Sequence, residues 1–272
     1  MKYLNSTFKY IAGHWLYFLL MSAAPALAVA FLYRPTMALS FIDSLDVSRT
    51  YDFGSVYYGI SSFCHNWWMT LIAVSVVMAF AIIVIVTVDR DMKIGHFSAG
   101  NPLKKLNENS LMLIPIYFFT LVVIELGYLV LSVLISLWIL IFNSNGLLYM
   151  ASVVSLFLVL LVELIFFSLT LLWIPHMLQT GYTGARAFSA AIRKIRGNFG
   201  TVFFHMLLIA MPVLALAVLE QMLKLYLGWL VIMAAVIIIL PFFSVYPFVV
   251  YYDVEDLDRE DLKNISIWKI NK

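Results

Sequence analysis

A single cysteine, Cys64, stands among 272 residues. It excludes an internal disulfide and any metal centre built on several thiolates. Charge is scarce: Asp, Glu, Lys and Arg make up 12% of the chain, against 64% apolar residues and a mean hydropathy of +0.98. A soluble domain carries about a quarter charged residues and about half apolar ones, so that class is excluded. No G-x-S-x-G elbow, H-E-x-x-H helix or G-x-x-x-x-G-K-[ST] loop occurs. Paired histidines or aspartates at the spacings of intramembrane proteases, lipid phosphatases or phospho-alcohol transferases are missing too. His14, His96 and His176 lie on separate segments, without ligand spacing. Neither an enzyme nor a cofactor or metal site is expected. The net charge of +2 offers no footprint for nucleic acid.

What the chain does have is apolar length. Near-continuous apolar runs cover 11–33, 67–88, 111–142, 147–175, 201–224 and 229–252. Each is long enough to cross a bilayer core of about 30 Å as a helix. The expected fold is all-α: one polytopic domain over 1–252, six spans as three hairpins, then a tail over 253–272. Lys2 and Lys9 before an apolar run and Ala26-Leu27-Ala28 resemble a cleavable signal, but the run continues to Tyr33, which favours an uncleaved span. The third run, about 48 Å at 1.5 Å per residue, has to tilt, bend or protrude.

The cations are unevenly placed. Lys2 and Lys9, then Arg90, Lys93, Lys104 and Lys105, then Arg186, Arg193, Lys194 and Arg196 fall on one side of this threading. Arg259, Lys263, Lys269 and Lys272 in the tail join them, leaving Arg34, Arg49 and Lys224 opposite. Retained positive charge marks the cytoplasmic side, so both termini are expected on the cytoplasmic side of a cell membrane. Some of these cations recur in short amphipathic segments at the mouths of spans: Phe8–Trp15, Leu103–Asn109 with Lys104 and Lys105, and Ile192–Asn198 with Arg193, Lys194 and Arg196. Such segments belong in the headgroup layer, where anionic headgroups are the expected partner.

Three features carry candidate function. Ser22, Ala26 and Ala30, spaced by four in the first span, form a small-residue face for packing inside the bundle or for an oligomer contact. Glu125 and Glu163 are the acidic residues well inside spans. They lie about 19.5 and 18.5 residues from the Asn143–Gly146 turn, hence at one level roughly 28 Å from it. That level is the inner third, unless the hairpin projects outward; His205 also falls in the inner third, and the three are candidates for a proton or cation relay. Asp89-Arg90-Asp91 reads as a self-neutralising surface cluster. The acidic stretch Asp253–Asp261 reads as solvated or as a docking segment for a basic partner.

Two stretches resemble the YesL-like family of small bacterial membrane proteins. One runs from Pro35-Thr36-Met37-Ala38-Leu39 through Ser62-Phe63-Cys64-His65-Asn66-Trp67 to Asp89; the other is Ile174-Pro175, then Ala190-Ala191-Ile192 and Asn198-Phe199. The chain departs from the family in its long span at 111–142 and in a first loop without lysines. The resemblance implies an accessory role beside a solute-uptake transporter, with no catalytic residues, and it places the first loop inside. The expected function is a non-catalytic assembly or accessory component of a transport or envelope complex. The alternative is a small transporter or channel working through Glu125, Glu163 and His205.

Overall fold

The structure, a computed structural model, describes residues 2–33, 36–95, 97, 111–182, 184–223 and 228–262, with only the backbone of 220–223. Lys104, Lys105 and the basic end of the tail lie outside the described residues. All described regular structure is helical, and six helices are long and apolar enough to cross a membrane. The protein is an all-α polytopic membrane protein.

The spans are α2 (Trp15–Ala28, continued by a π-helical turn through Val29–Tyr33), α6 (Trp67–Ile94), α7 (Leu113–Ile141), α8 (Asn145–Thr170), α11 (Phe199–Leu223) and α12 (Gly228–Val254). Shorter helices fill the joints: α1 (Lys2–Gly13), α3 (Met37–Asp43), α4 (Phe53–Ile60), α5 (Ser62–His65), α9 (Trp173–Thr180) and α10 (Gly184–Ile195). Caps set several boundaries. The Asp52 carboxylate accepts from the Ser55 amide at 3.1 Å to start α4, and Ser61 Oγ accepts from the Cys64 amide to start α5. Gly181, at φ +72°, takes the left-handed turn that ends α9.

The helix α12 is the hub. Phe242, Val245, Tyr246, Phe248 and Val250 are fully buried, and α12 packs against α1, α2, α6, α9 and α11. Ser22, Ala26 and Ala30 are buried where α2 meets α6 and α12, so this small-residue face is used inside the chain's own bundle. Tyr17 on α2 donates to Thr87 Oγ1 on α6 at 3.0 Å.

One end of the bundle carries the chain's beginning and the end of α12; we call it the terminal face. Three amphipathic helices lie across it. On α1, Tyr3 donates to Asp253 of α12 while Tyr10, two turns on, donates to Asp91 of α6. A helix joining the ends of two spans in this way runs across them. On α9, His176 and Gln179 sit one turn apart and reach the consecutive residues Tyr251 and Tyr252, so α9 crosses α12. The turn at 181–182 then folds α10 back along α9, bringing Phe188 against Trp173 with ring centroids 4.9 Å apart. Interfacial helices were expected at α1 and α10; of α9, 173–175 were expected to end the fourth span and 176–180 to lie in a loop.

A second, smaller core lies toward the far face. Ala38 and Ile42 of α3, Val56 and Ile60 of α4, Leu131 and Ile135 of α7 and Leu156 of α8 form it. The segment 34–66, expected as a loop, supplies α3 to α5, because its apolar residues find partners on the α7–α8 hairpin. The hairpin tip is pinned there: the Val47 amide donates to Asn145 Oδ1 at 2.7 Å, and Asn145 donates to Asp46 at 3.3 Å.

Candidate functional site

Glu125 sits on the α7 face turned toward the α4–α5 junction. Ser61 Oγ donates to its Oε2 at 2.6 Å, and the Tyr57 hydroxyl donates to the same oxygen at 3.3 Å. The other oxygen, Oε1, is buried and receives no hydrogen bond from the described residues. An unmatched buried acceptor costs about 1–3 kcal/mol, so this oxygen is open to a proton or a cation. Burial first, then Cys64 and Glu125, push the Tyr57 hydroxyl up to about 12. It stays a donor at any physiological pH.

Glu163 lies on α8, against Gly127 of α7. A Cβ built on Gly127 would fall 1.9 Å from Glu163 Oε1, so the absent side chain is the space the carboxylate occupies. Gly127 follows Glu125 by two residues, about 3 Å along the axis and 200° around it. The carboxylates are therefore level, but point to different sides of α7. No hydrogen bond joins them among the described residues, and each lies within the other's electrostatic field. Tyr33, from the π-helical turn, bonds Tyr128 and shares the same field. The result is a mixed cluster of two carboxyls, three tyrosines, Ser61 and Cys64 set among apolar side chains.

Its level differs from the one expected. Thr70, in the first turn of α6, donates to the Ser62 carbonyl at 3.1 Å. Through Ser61, Glu125 is thus tied to the far-face end of α6, not to the inner third. The α7 helix continues for 16 residues past Glu125, about 24 Å of helix axis. The turn stands beyond the ends of the neighbouring spans, which is the outward projection under which counting inward from it does not give the inner third.

His205 is at the other end. Its Nδ1 shares a hydrogen bond of 2.9 Å with the Tyr246 hydroxyl, and its ring meets Tyr3 edge-on. Fully buried apolar side chains of the main core, Val84, Val88 and Met206 among them, occupy the terminal-face half of the bundle around it. The structure brings Glu125 and Glu163 to one level and leaves His205 apart from them.

The terminal face holds the second concentration of polar groups. Asp91 is buried and accepts from Tyr10 at 2.8 Å; Asp89 accepts from Gln179 at 2.8 Å and pairs with Lys93 at 3.0 Å. The surface reading of Asp89-Arg90-Asp91 is corrected: Arg90 alone is exposed, and both aspartates turn inward onto α1 and α9. The acidic tail is likewise spoken for within the chain. Asp253 pairs with Lys2, Glu255 with Lys194 at 2.6 Å, and Arg259 with Asp261 at 2.7 Å. Burial and Asp91 together hold the Tyr10 hydroxyl well above its ordinary range.

Among the described residues no group of three or more His, Cys, Asp or Glu is placed to hold a metal ion. The sequence signal missed at the first cluster was Gly127, the α7 position against which Glu163 packs. At the second it was Gln179, the amide that would accompany a buried acid. Comparison with protein-family models, characterised proteins and solved structures finds no match to this chain.

Proposed function

We propose that this chain is a non-catalytic membrane component that assembles with another membrane protein through the α7–α8 hairpin. The observation that carries this reading is the hairpin's bare apolar flank. Beyond Glu125, Val133, Leu137, Leu140 and Ile141 on α7 and Met150, Val154 and Phe157 on α8 are all exposed. The α3–α4 pair covers one side of this half, and α8 also packs against α10 and α11. Apolar exposure alone is what lipid covers; here Leu140 and Ile141, 81% and 59% exposed, lie at the hairpin tip, which stands beyond the ends of the neighbouring spans. The small-residue face is buried within the chain, and Asp253, Glu255 and Asp261 of the acidic tail are paired within it, so neither is the surface proposed. By the positive-inside rule the terminal face is cytoplasmic, in a cell membrane, and the hairpin tip stands on the other side.

The test is photo-cross-linking in intact membranes from positions 137 and 154, with position 72 on α6 as a lipid-facing comparison. A discrete protein adduct from 137 or 154, absent at 72, supports the reading. Lipid adducts alone from all three positions overturn it.

A second reading rests on the buried, undonated Oε1 of Glu125. It makes the carboxylate pair a proton or cation site of a small transporter. The separation of His205 removes one member of that relay, and the assembly reading is preferred.

A further inference from the structure

The α10 helix has two faces with opposite fates. Ala187, Ala191 and Ile195 are fully buried, on the side that packs toward α8 and α9. On the other side, Tyr182, Arg186, Ser189 and Arg193 line one shallow depression. Arg186 and Arg193 are seven residues apart, which puts them about 10 Å apart along the axis and nearly in line, with Ser189 between. Both arginines are exposed, and among the described residues neither is paired with a carboxylate. The contrast with their neighbour is sharp. Lys194 is taken by Glu255 at 2.6 Å and also sits 5.6 Å from the centre of the Tyr251 ring.

We propose that this depression binds the phosphate of an anionic membrane lipid. Guanidinium groups present paired donors that match phosphate oxygens, and the Ser189 and Tyr182 hydroxyls add neutral donors beside them. The lipid source follows from position. The helix is amphipathic, its inner face is anchored by the Phe188–Trp173 ring contact, and it crosses the terminal face at the level where the aspartates and tyrosines of the span ends collect. A headgroup in that leaflet is already at the right depth. Each arginine left unpaired among the described residues is worth roughly fivefold in attraction to an anionic surface, so the pair amounts to roughly 25-fold. This inference is independent of what the hairpin binds.

The test is lipid retention by the full-length purified protein, read by native mass spectrometry. Phosphatidylglycerol and phosphatidylcholine of equal chain length compete, with inorganic phosphate as a third arm. Wild type is expected to retain phosphatidylglycerol about 25-fold over phosphatidylcholine, with millimolar phosphate displacing little of it. Arg186→Gln with Arg193→Gln should abolish most of that preference. Arg186→Lys with Arg193→Lys should keep part of it, and Arg90→Gln should leave it unchanged. An unaltered preference in the double glutamine variant overturns the proposal. So does equal retention of the two lipids, or displacement by phosphate at the concentration of the lipid, which would make the depression a site for the free ion.

Discussion

The Glu163 carboxylate occupies the space of a missing side chain on Gly127, 1.9 Å from where its Cβ would lie. The contact joins the two helices of the longest hairpin and fixes the register in which Glu125 and Glu163 are level. Because the intruding atom ends a flexible side chain, a methyl group at 127 can be met by rotation of Glu163. Gly127→Ala should therefore change stability little, since a gain of about 1 kcal/mol in helix propensity offsets the displaced carboxylate. Gly127→Leu has no such outlet and should destabilise by about 1–3 kcal/mol or more through overpacking. Thermal unfolding of both variants in one detergent checks the difference; equal effects would mean that the helices are not held at this distance.

Ser61 serves two partners. Its Oγ accepts from the Cys64 amide to cap α5 and donates to Glu125 at 2.6 Å. Ser61→Ala should lose about 1–3 kcal/mol, combining a cap with a hydrogen bond to a buried acid. In the Glu125→Gln background the same substitution should cost less. A double-mutant cycle with no coupling would contradict the contact.

Alkaline stability has a defined sign. The Tyr57 and Tyr3 hydroxyls are each pushed up to about 12 in the folded protein, chiefly by burial, with Glu125 and Asp253 adding to it. A folded value above the unfolded one means their contribution is complete below pH 10 and is lost between about pH 10 and 12. Unfolding midpoints measured across that window should fall with pH, and Tyr57→Phe should flatten part of the fall. A Tyr57→Phe profile that coincides with the wild type would show that this hydroxyl ionises normally.

At the terminal face, Tyr10→Phe leaves buried Asp91 without its donor at 2.8 Å. The expected loss is about 1–3 kcal/mol, with earlier proteolysis at the N-terminal helix. Asp91→Asn should be milder, because an amide can still accept from Tyr10. Identical protease sensitivity in wild type and Tyr10→Phe would place α1 off the bundle.

Much of the fold was legible because hydropathy along a chain is one-dimensional. Six apolar runs became six spans, and the basic amphipathic segments around Lys9 and Arg193 became helices across the terminal face. What was hidden depends on rotation and on partners far away in sequence. Asp89 and Asp91 flank exposed Arg90, yet they turn inward only because α1 supplies Tyr10 and α9 supplies Gln179. Glu255 looked solvated because nothing local indicates Lys194, 61 residues earlier. Segment 34–66 looked like a loop because its short helices are held by Leu131, Ile135 and Leu156 on a different hairpin. Of the candidate relay, the equal level of Glu125 and Glu163 was readable from the turn; the position of His205 against Tyr246 was not.

The assembly reading also bears on transport. Glu125→Gln with Glu163→Gln should leave proton-linked flux into liposomes at the background of empty vesicles, as for wild type. A wild-type flux lost in the double variant would favour the transporter instead.

The most direct measurement is the mass of the particle extracted gently from its native membrane. A chain of 31.0 kDa that works by assembly should run as a larger defined particle. Leu137→Glu with Val154→Glu should reduce it to the single chain without unfolding it. A lone wild-type chain, or a larger particle that survives both substitutions, would contradict the role given to the hairpin.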